Sequence, residues 1–198
     1  MVFSKDLKVR QQCEEAYKKA SQMLGFIHRT IRFKNPAVFI ALYKSLVRPH
    51  LEYCSVAWNP YYAKDKALLE RVQHRFTRMF PELKVLPYME RLSRLGLWSL
   101  SERRNRADLI EIFKMIKGFS AVSWSTFFTR MESSITRGHN WKLMKSSARC
   151  DLRLHCFSHR SVNRWNRLTQ DEVDAPSINS FKNHLAKKRL RKMDFFMD

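Results

Sequence analysis

The chain has few of the residues that build turn-rich, disulfide-bonded or membrane-spanning proteins. Of its 198 residues only four are glycine and six proline, which argues against a β-sandwich with its many tight turns and for helices. The four cysteines, Cys13, Cys54, Cys150 and Cys156, form no CxxC pair and no regular framework. That pattern excludes a disulfide scaffold and fits a reducing compartment. No run approaches the roughly 20 apolar residues that a bilayer span needs. The N-terminus carries Lys5 and Asp6 with no apolar stretch behind them, so no signal peptide is expected. Acidic residues are scarce, 18 against 38 Lys and Arg, and no Asp-Asp pair occurs. Two-metal polymerase chemistry needs paired carboxylates to hold its divalent ions. Asp6, Asp65 and Asp108 stand alone in the sequence.

What is present points to a folded, polyanion-binding protein. Hydrophobic residues make up 44%, with five Trp and fourteen Phe, enough for a core and unlike a disordered chain. The net charge is +20, spread over both halves. Such a charge repels itself unless a polyanion neutralises it, and nucleic acid is the leading partner. An anionic membrane surface comes second.

Apolar spacing predicts a run of helices. Ala16, Ala20, Met23, Leu24 and Ile27 mark the first, over about Lys8 to Ile31. Asn35-Pro36 opens the second, with Asn as cap and Pro in the first turn. Val38, Leu42, Leu46 and Val47 are its expected buried face, and Pro49 is expected to kink or restart it. The third spans about Lys64 to Phe80, with Leu68, Leu69, Val72, Phe76, Met79 and Phe80 as its apolar stripe. Ser99 and Glu102 have capping-box spacing and open a fourth long helix, packed through Ala107, Ile110 and Phe113 and stopped by Gly118. Beyond it, 119–136 reads as a linker. Trp141 to Leu154 alternates enough for one short hairpin, and Phe157 to Leu168 and Ser177 to Arg189 read as helices. The expected architecture is mostly α: a helical bundle over 1–118 and a smaller basic α-rich subdomain over 137–198.

Several motifs share one order with a known family. The stretches LYKSLVRPHLEYCSVAWNP (Leu42 to Pro60), LLERVQHRFTRMF (Leu68 to Phe80) and LPYMERLSRLGLWSLSERRNRADLIEIFKMIKG (Leu86 to Gly118) come first. TRGH (Thr136 to His139), WNRL (Trp165 to Leu168) and SINSFKNHL (Ser177 to Leu185) follow. Together they resemble the region after the catalytic palm in LINE-type non-LTR retrotransposon reverse transcriptases of the chicken-repeat and jockey-like clades. Two positions depart from that pattern: Thr169 stands where the family has Pro, and Cys156 where it often has Phe. The resemblance implies a thumb-like bundle that grips a template–primer duplex by its backbone, without the palm that polymerises. It implies a non-enzymatic chain, and no cofactor is assigned; the cysteine pattern and the lack of a signal-peptide pattern give the nucleus or cytoplasm as the expected location. Its partners would be an RNA or DNA backbone, a palm-containing polymerase supplied separately, or another protein, with no membrane.

Candidate binding residues fall in three groups. Arg71, His74, Arg75 and Arg78 recur at helical spacing away from the apolar stripe, as a phosphate-gripping strip or a solvated face paired with Glu70 or Glu82. Trp141 lies among Lys142, Lys145 and Arg149 and is the aromatic to consider for base stacking, whereas Trp58 and Trp165 lie in core patterns. Lys187, Lys188, Arg189, Arg191 and Lys192 form a basic run that reads as a nucleic-acid tail, an import signal or a solvated helix end. Cys150, His155, Cys156 and His159 are zinc-type ligands, but their spacing fits no common finger and no metal is assigned. An alternative function is a protein-interaction module that uses an apolar surface around Leu24, Phe26 and Ile27.

Overall fold

The computed structural model describes residues 5, 8–31, 35–131 and 138–197. The chain is mostly α-helical, as the apolar spacing predicts. It divides into two compact units, Met1–Arg103 and Arg104–Asp198.

In the first unit, α1 (Arg10–Thr30) buries Cys13, Ala16, Ala20, Leu24 and Ile27 along one side. The next run is continuous: α2 (Pro36–Leu42), a π-helical turn (Tyr43–Val47) and α3 (Arg48–Glu52). Asn35 caps α2 by accepting from the Ala37 N–H at 2.9 Å. The buried face is Phe39, Tyr43, Val47 and Leu51, while Val38 and Leu46 are exposed. Of the expected face, Val47 is buried and Leu42 packs against the core, but Val38 and Leu46 give way to Phe39 and Tyr43. Pro49 cannot donate to a carbonyl one turn back. The backbone meets this with a wider turn, in which the Arg48 N–H reaches the Tyr43 carbonyl five residues away. In a plain α-helix, four-residue spacing drifts by about 40° per step at 3.6 residues per turn. The wide turn removes part of that drift and keeps Phe39 through Leu51 on the core side.

A short α4 (Ser55–Trp58) brings in Trp58, whose indole N–H donates to the Tyr53 carbonyl at 2.7 Å. Then α5 (Ala63–Thr77) packs Leu69, Val72 and Phe76 inward. Tyr43 stacks on Phe76 at 4.1 Å between centroids, and Phe80 meets Phe76 edge-on. Beneath this lies a polar knot. Gln73 accepts from the Tyr43 hydroxyl at 2.8 Å and donates to the Tyr88 hydroxyl and the Trp98 carbonyl, each at 3.0 Å. Glu70 accepts from the Tyr88 hydroxyl and from the Leu100 N–H. Burial, first, and the Glu70 carboxylate both push the Tyr88 phenol far up, so it stays protonated as a donor. Tyr88 belongs to α6 (Tyr88–Arg94).

The long helix α7 (Leu100–Ile116) opens with the expected capping box: the Ser99 N–H reaches Glu102 Oε2 at 2.9 Å, and Ser99 Oγ accepts from the Glu102 N–H at 3.2 Å. The division between units falls inside α7, before Gly118, where the apolar pattern weakens and the bundle is expected to end. The reason is that α7 beyond Arg103 packs within the second unit. There Phe113 stacks on Phe181 at 4.3 Å and Asn105 donates to the Phe196 carbonyl at 2.8 Å. Asp108, 1% exposed, is gripped by Arg160 at 2.8 and 2.9 Å. Ala107 and Ile110 are only half-buried, and Leu109, Ile112 and Phe113 carry the packing.

The second unit is built from short helices: α8 (Asp151–Leu154), α9 (Phe157–Arg160), α10 (Val162–Asn166), α11 (Gln170–Val173) and α12 (Ile178–Arg191). Ser177 caps α12, accepting from the Ser180 N–H at 3.1 Å. Thr169 caps α11 in a full capping box with Glu172, so the residue that departs from the family pattern starts a helix here. The hairpin expected within Trp141–Leu154 is not formed. Instead, residues 129–131 pair antiparallel with 142–144 through Met131 N–H to Lys142 O at 2.9 Å and Met144 N–H to Thr129 O at 2.8 Å, while 151–154 coil into α8. Part of the expected linker thus belongs to this unit, and Phe128 is buried against Phe157. Linker residues 132–137, with Thr136 and Arg137 of the TRGH motif, lie outside the described residues.

Candidate nucleic-acid interface

On α5 and its C-cap residue Arg78, about 100° of rotation per residue places Arg71, Arg75 and Arg78 within about 60° of one another, over roughly 10 Å of helix axis. All three are exposed, and Leu69, Val72 and Phe76 hold the other side of the helix in the core. Among the described residues no carboxylate pairs with these three arginines. Glu70, the nearest carboxylate in sequence, is turned into the polar knot by Tyr88 and Leu100. Several other arginines of this unit pair with carboxylates: Arg103 and Arg48 share Glu52, Arg94 meets Glu90 and Arg10 meets Glu14. The strip is left as a row of cations.

His74 is not part of it. Its ring stacks on Tyr88 at 3.5 Å between centroids, and its Nδ1 faces Arg91 Nη2 at 3.4 Å. Burial, then the charges of Arg91 and Arg78, hold its pKa below the usual imidazole value, so it is neutral near pH 7. Sequence spacing saw a basic residue at the right angle, but the aromatic neighbour supplied by α6 was beyond its reach.

In the second unit Trp141 is half-buried, with Arg130 over its ring at 4.4 Å and Trp124 against it edge-on at 5.8 Å. Its backbone N–H donates to His139 Nδ1 at 3.2 Å, and His139 Nε2 meets the Trp165 carbonyl at 3.1 Å. These two contacts fix the neutral tautomer with the proton on Nε2. Burial lowers the pKa of His139 in agreement. Lys142 is half-buried and Lys145 exposed.

The basic run Lys187 to Lys192 ends α12 and lines a cleft with Arg167 and His184. Lys187, Arg191 and Lys192 are exposed, and Arg189 is half-buried. Lys188 is already occupied: it pairs with Glu172 at 2.6 Å and lies over the Phe195 ring. It is therefore a structural strut rather than a free phosphate ligand. The signal that could have revealed this is Glu172 itself, one turn into a capped helix. Phe195 and Phe196 are buried, and Arg164 holds the segment by donating to the Phe195 carbonyl at 3.1 Å.

Of the zinc-type residues, His159 is buried with Nε2 against the Ser146 carbonyl, Cys156 meets Ser158, and Cys150 is exposed. Among the described residues no three such ligands converge. The apolar surface expected around Leu24, Phe26 and Ile27 is also absent as such. Leu24 and Ile27 are in the core and Phe26 alone is exposed. Among the described residues no helix is long and apolar enough to cross a membrane.

No protein-family model matches the chain, and no curated protein or solved structure matches it.

Proposed function

We propose that the chain is a non-catalytic, thumb-like portion of a LINE-type reverse transcriptase that binds nucleic-acid backbone without sequence preference. The observation that carries the reading is the strip Arg71, Arg75 and Arg78: exposed, on one side of a helix anchored by its other side, and unpaired among the described residues. Guanidinium forks at this spacing can engage successive phosphates. The +20 charge and the motif order support the same reading, and the lack of an Asp-Asp pair supports the absence of polymerase activity. The exposed cations of the Lys187–Lys192 run would add backbone contacts in a nuclear or cytoplasmic setting.

The test is the salt dependence of duplex DNA binding in the parent and in Arg71→Gln/Arg75→Gln/Arg78→Gln. Each neutralised phosphate contributes about −0.9 to the log–log slope, so the triple variant should lose about 2.7 units. Between 50 and 200 mM salt this corresponds to roughly a 40-fold smaller fall in affinity. A triple variant with the parent's slope and affinity would show the strip to be a solvated face.

A further inference from the structure

Arg130 and Trp141 form a built plate. The guanidinium sits over the indole at 4.4 Å, and its Nε and Nη2 both donate to the Asn140 carbonyl, at 3.3 and 3.0 Å. Two bonds to one oxygen fix the plane of the guanidinium as well as its position. Asn140 is itself held by Gln170, through its N–H to Gln170 Oε1 at 2.9 Å and its Oδ1 to Gln170 Nε2 at 3.1 Å. The Trp141 backbone is held on both sides, its N–H donating to His139 Nδ1 at 3.2 Å and its carbonyl accepting from the Trp165 indole N–H at 2.8 Å, and Trp124 meets the indole edge-on. Arg130 is exposed, so the face turned away from the indole is open to solvent, and no carboxylate among the described residues pairs with it. A cation held flat and unneutralised has a free π-type face. A nucleobase stacks on such a guanidinium as it does on an aromatic ring, and gains from the charge as well.

We infer that the Arg130 plate, backed by Trp141, is a stacking site for an unpaired nucleobase, which makes this unit selective for single-stranded nucleic acid. Paired bases in a duplex offer no free face except at the ends, so the plate discriminates by strand state and not by sequence. Lys145, exposed four residues beyond Trp141, is available for an adjoining phosphate. Trp141 acts beneath the guanidinium, because Arg130 occupies the indole face that a base would otherwise take. The inference rests on the nucleic-acid reading above and adds to it the form of the strand and the residue that reads it.

The experiment compares the full chain's affinity, by fluorescence anisotropy, for oligo(dT), for an abasic strand of equal length and charge, and for a blunt duplex. Oligo(dT) should bind about tenfold more tightly than the abasic strand, within what one stacked base supplies. Arg130→Lys keeps the charge and loses the plane. It should bring that ratio to about one and leave duplex affinity within about twofold of the parent. Equal affinity of the parent for the two strands overturns the inference without reliance on any variant. A ratio preserved in Arg130→Lys, with circular dichroism unchanged, overturns it as well. Failure of the backbone reading shows separately, as salt-independent duplex binding, and a chain that binds none of the three overturns both.

Discussion

Replacing Asp108 by Asn tests how the second unit is held together. Asp108 is 1% exposed and grips Arg160 through both oxygens, at 2.8 and 2.9 Å, while Arg160 Nη1 donates to the His155 carbonyl at 3.1 Å. The arginine side chain is 14% exposed, so the pair sits largely away from water. The substitution keeps the shape, removes the negative charge and turns an amide N–H₂ toward guanidinium N–H groups. Breaking one side of a buried pair costs about 3–5 kcal/mol, because the remaining charge is stranded. Whole-domain stability is about 5–15 kcal/mol. With a urea dependence of about 2 kcal/mol per molar, the transition should move down by roughly 2 M. Fluorescence is a suitable readout, since Trp165 in this unit is fully buried. The double variant Asp108→Leu/Arg160→Leu should recover most of the loss, because removing both charges together strands neither. A single variant that loses under about 1 kcal/mol would mean the pair behaves as a solvated surface bridge, and the burial argument would fail.

Stability should fall on mild acidification. His74 and His139 are both held neutral, their folded pKa values lying below the unfolded value of about 6.5. The unfolded chain therefore binds more protons, and stability present above pH 6.5 is lost as pH drops through that value toward the folded ones. Thermal melts from pH 7.5 to 5.5 should show the decline. His74→Phe, which keeps the stack on Tyr88, should lessen it in the first unit, and a pH-flat parent would refute the assignment. Val72→Asp should abolish the cooperative melt of the first unit, since it sets an unpaired charge at a position 1% exposed. Arg75→Gln on the same helix should leave the melt within about 0.5 kcal/mol of the parent.

Helix signals with a local physical cause were legible. Asn35, Ser99 with Glu102, and Ser177 each cap a helix as their spacing implies, because a cap involves only residues within one turn. Arg71, Arg75 and Arg78 could be placed on one face by angle alone. What escaped was set by partners distant in sequence. His74 is claimed by Tyr88, Lys188 by Glu172, and Trp141 by Arg130. On α2 both Val38 and Phe39 are apolar, and nothing in the local pattern shows that Phe39 is the one buried.

The wide turn at Tyr43–Val47 uncouples the length of the helical run from its phase. In a regular helix, removing one residue swings everything beyond it by about 100°. Between Tyr43 and Val47 the chain holds one residue more than an α-helical turn needs, so losing one there should restore a regular turn with Phe39 upstream and Leu51 downstream still seated. Pro49 fixes where this slack is kept, because its missing N–H leaves the preceding turn free of one bond it would otherwise owe. The Leu42–Pro60 stretch thus contains a turn that sets phase, and its Tyr43 and Val47 belong to the same core that holds the helix of the arginine strip.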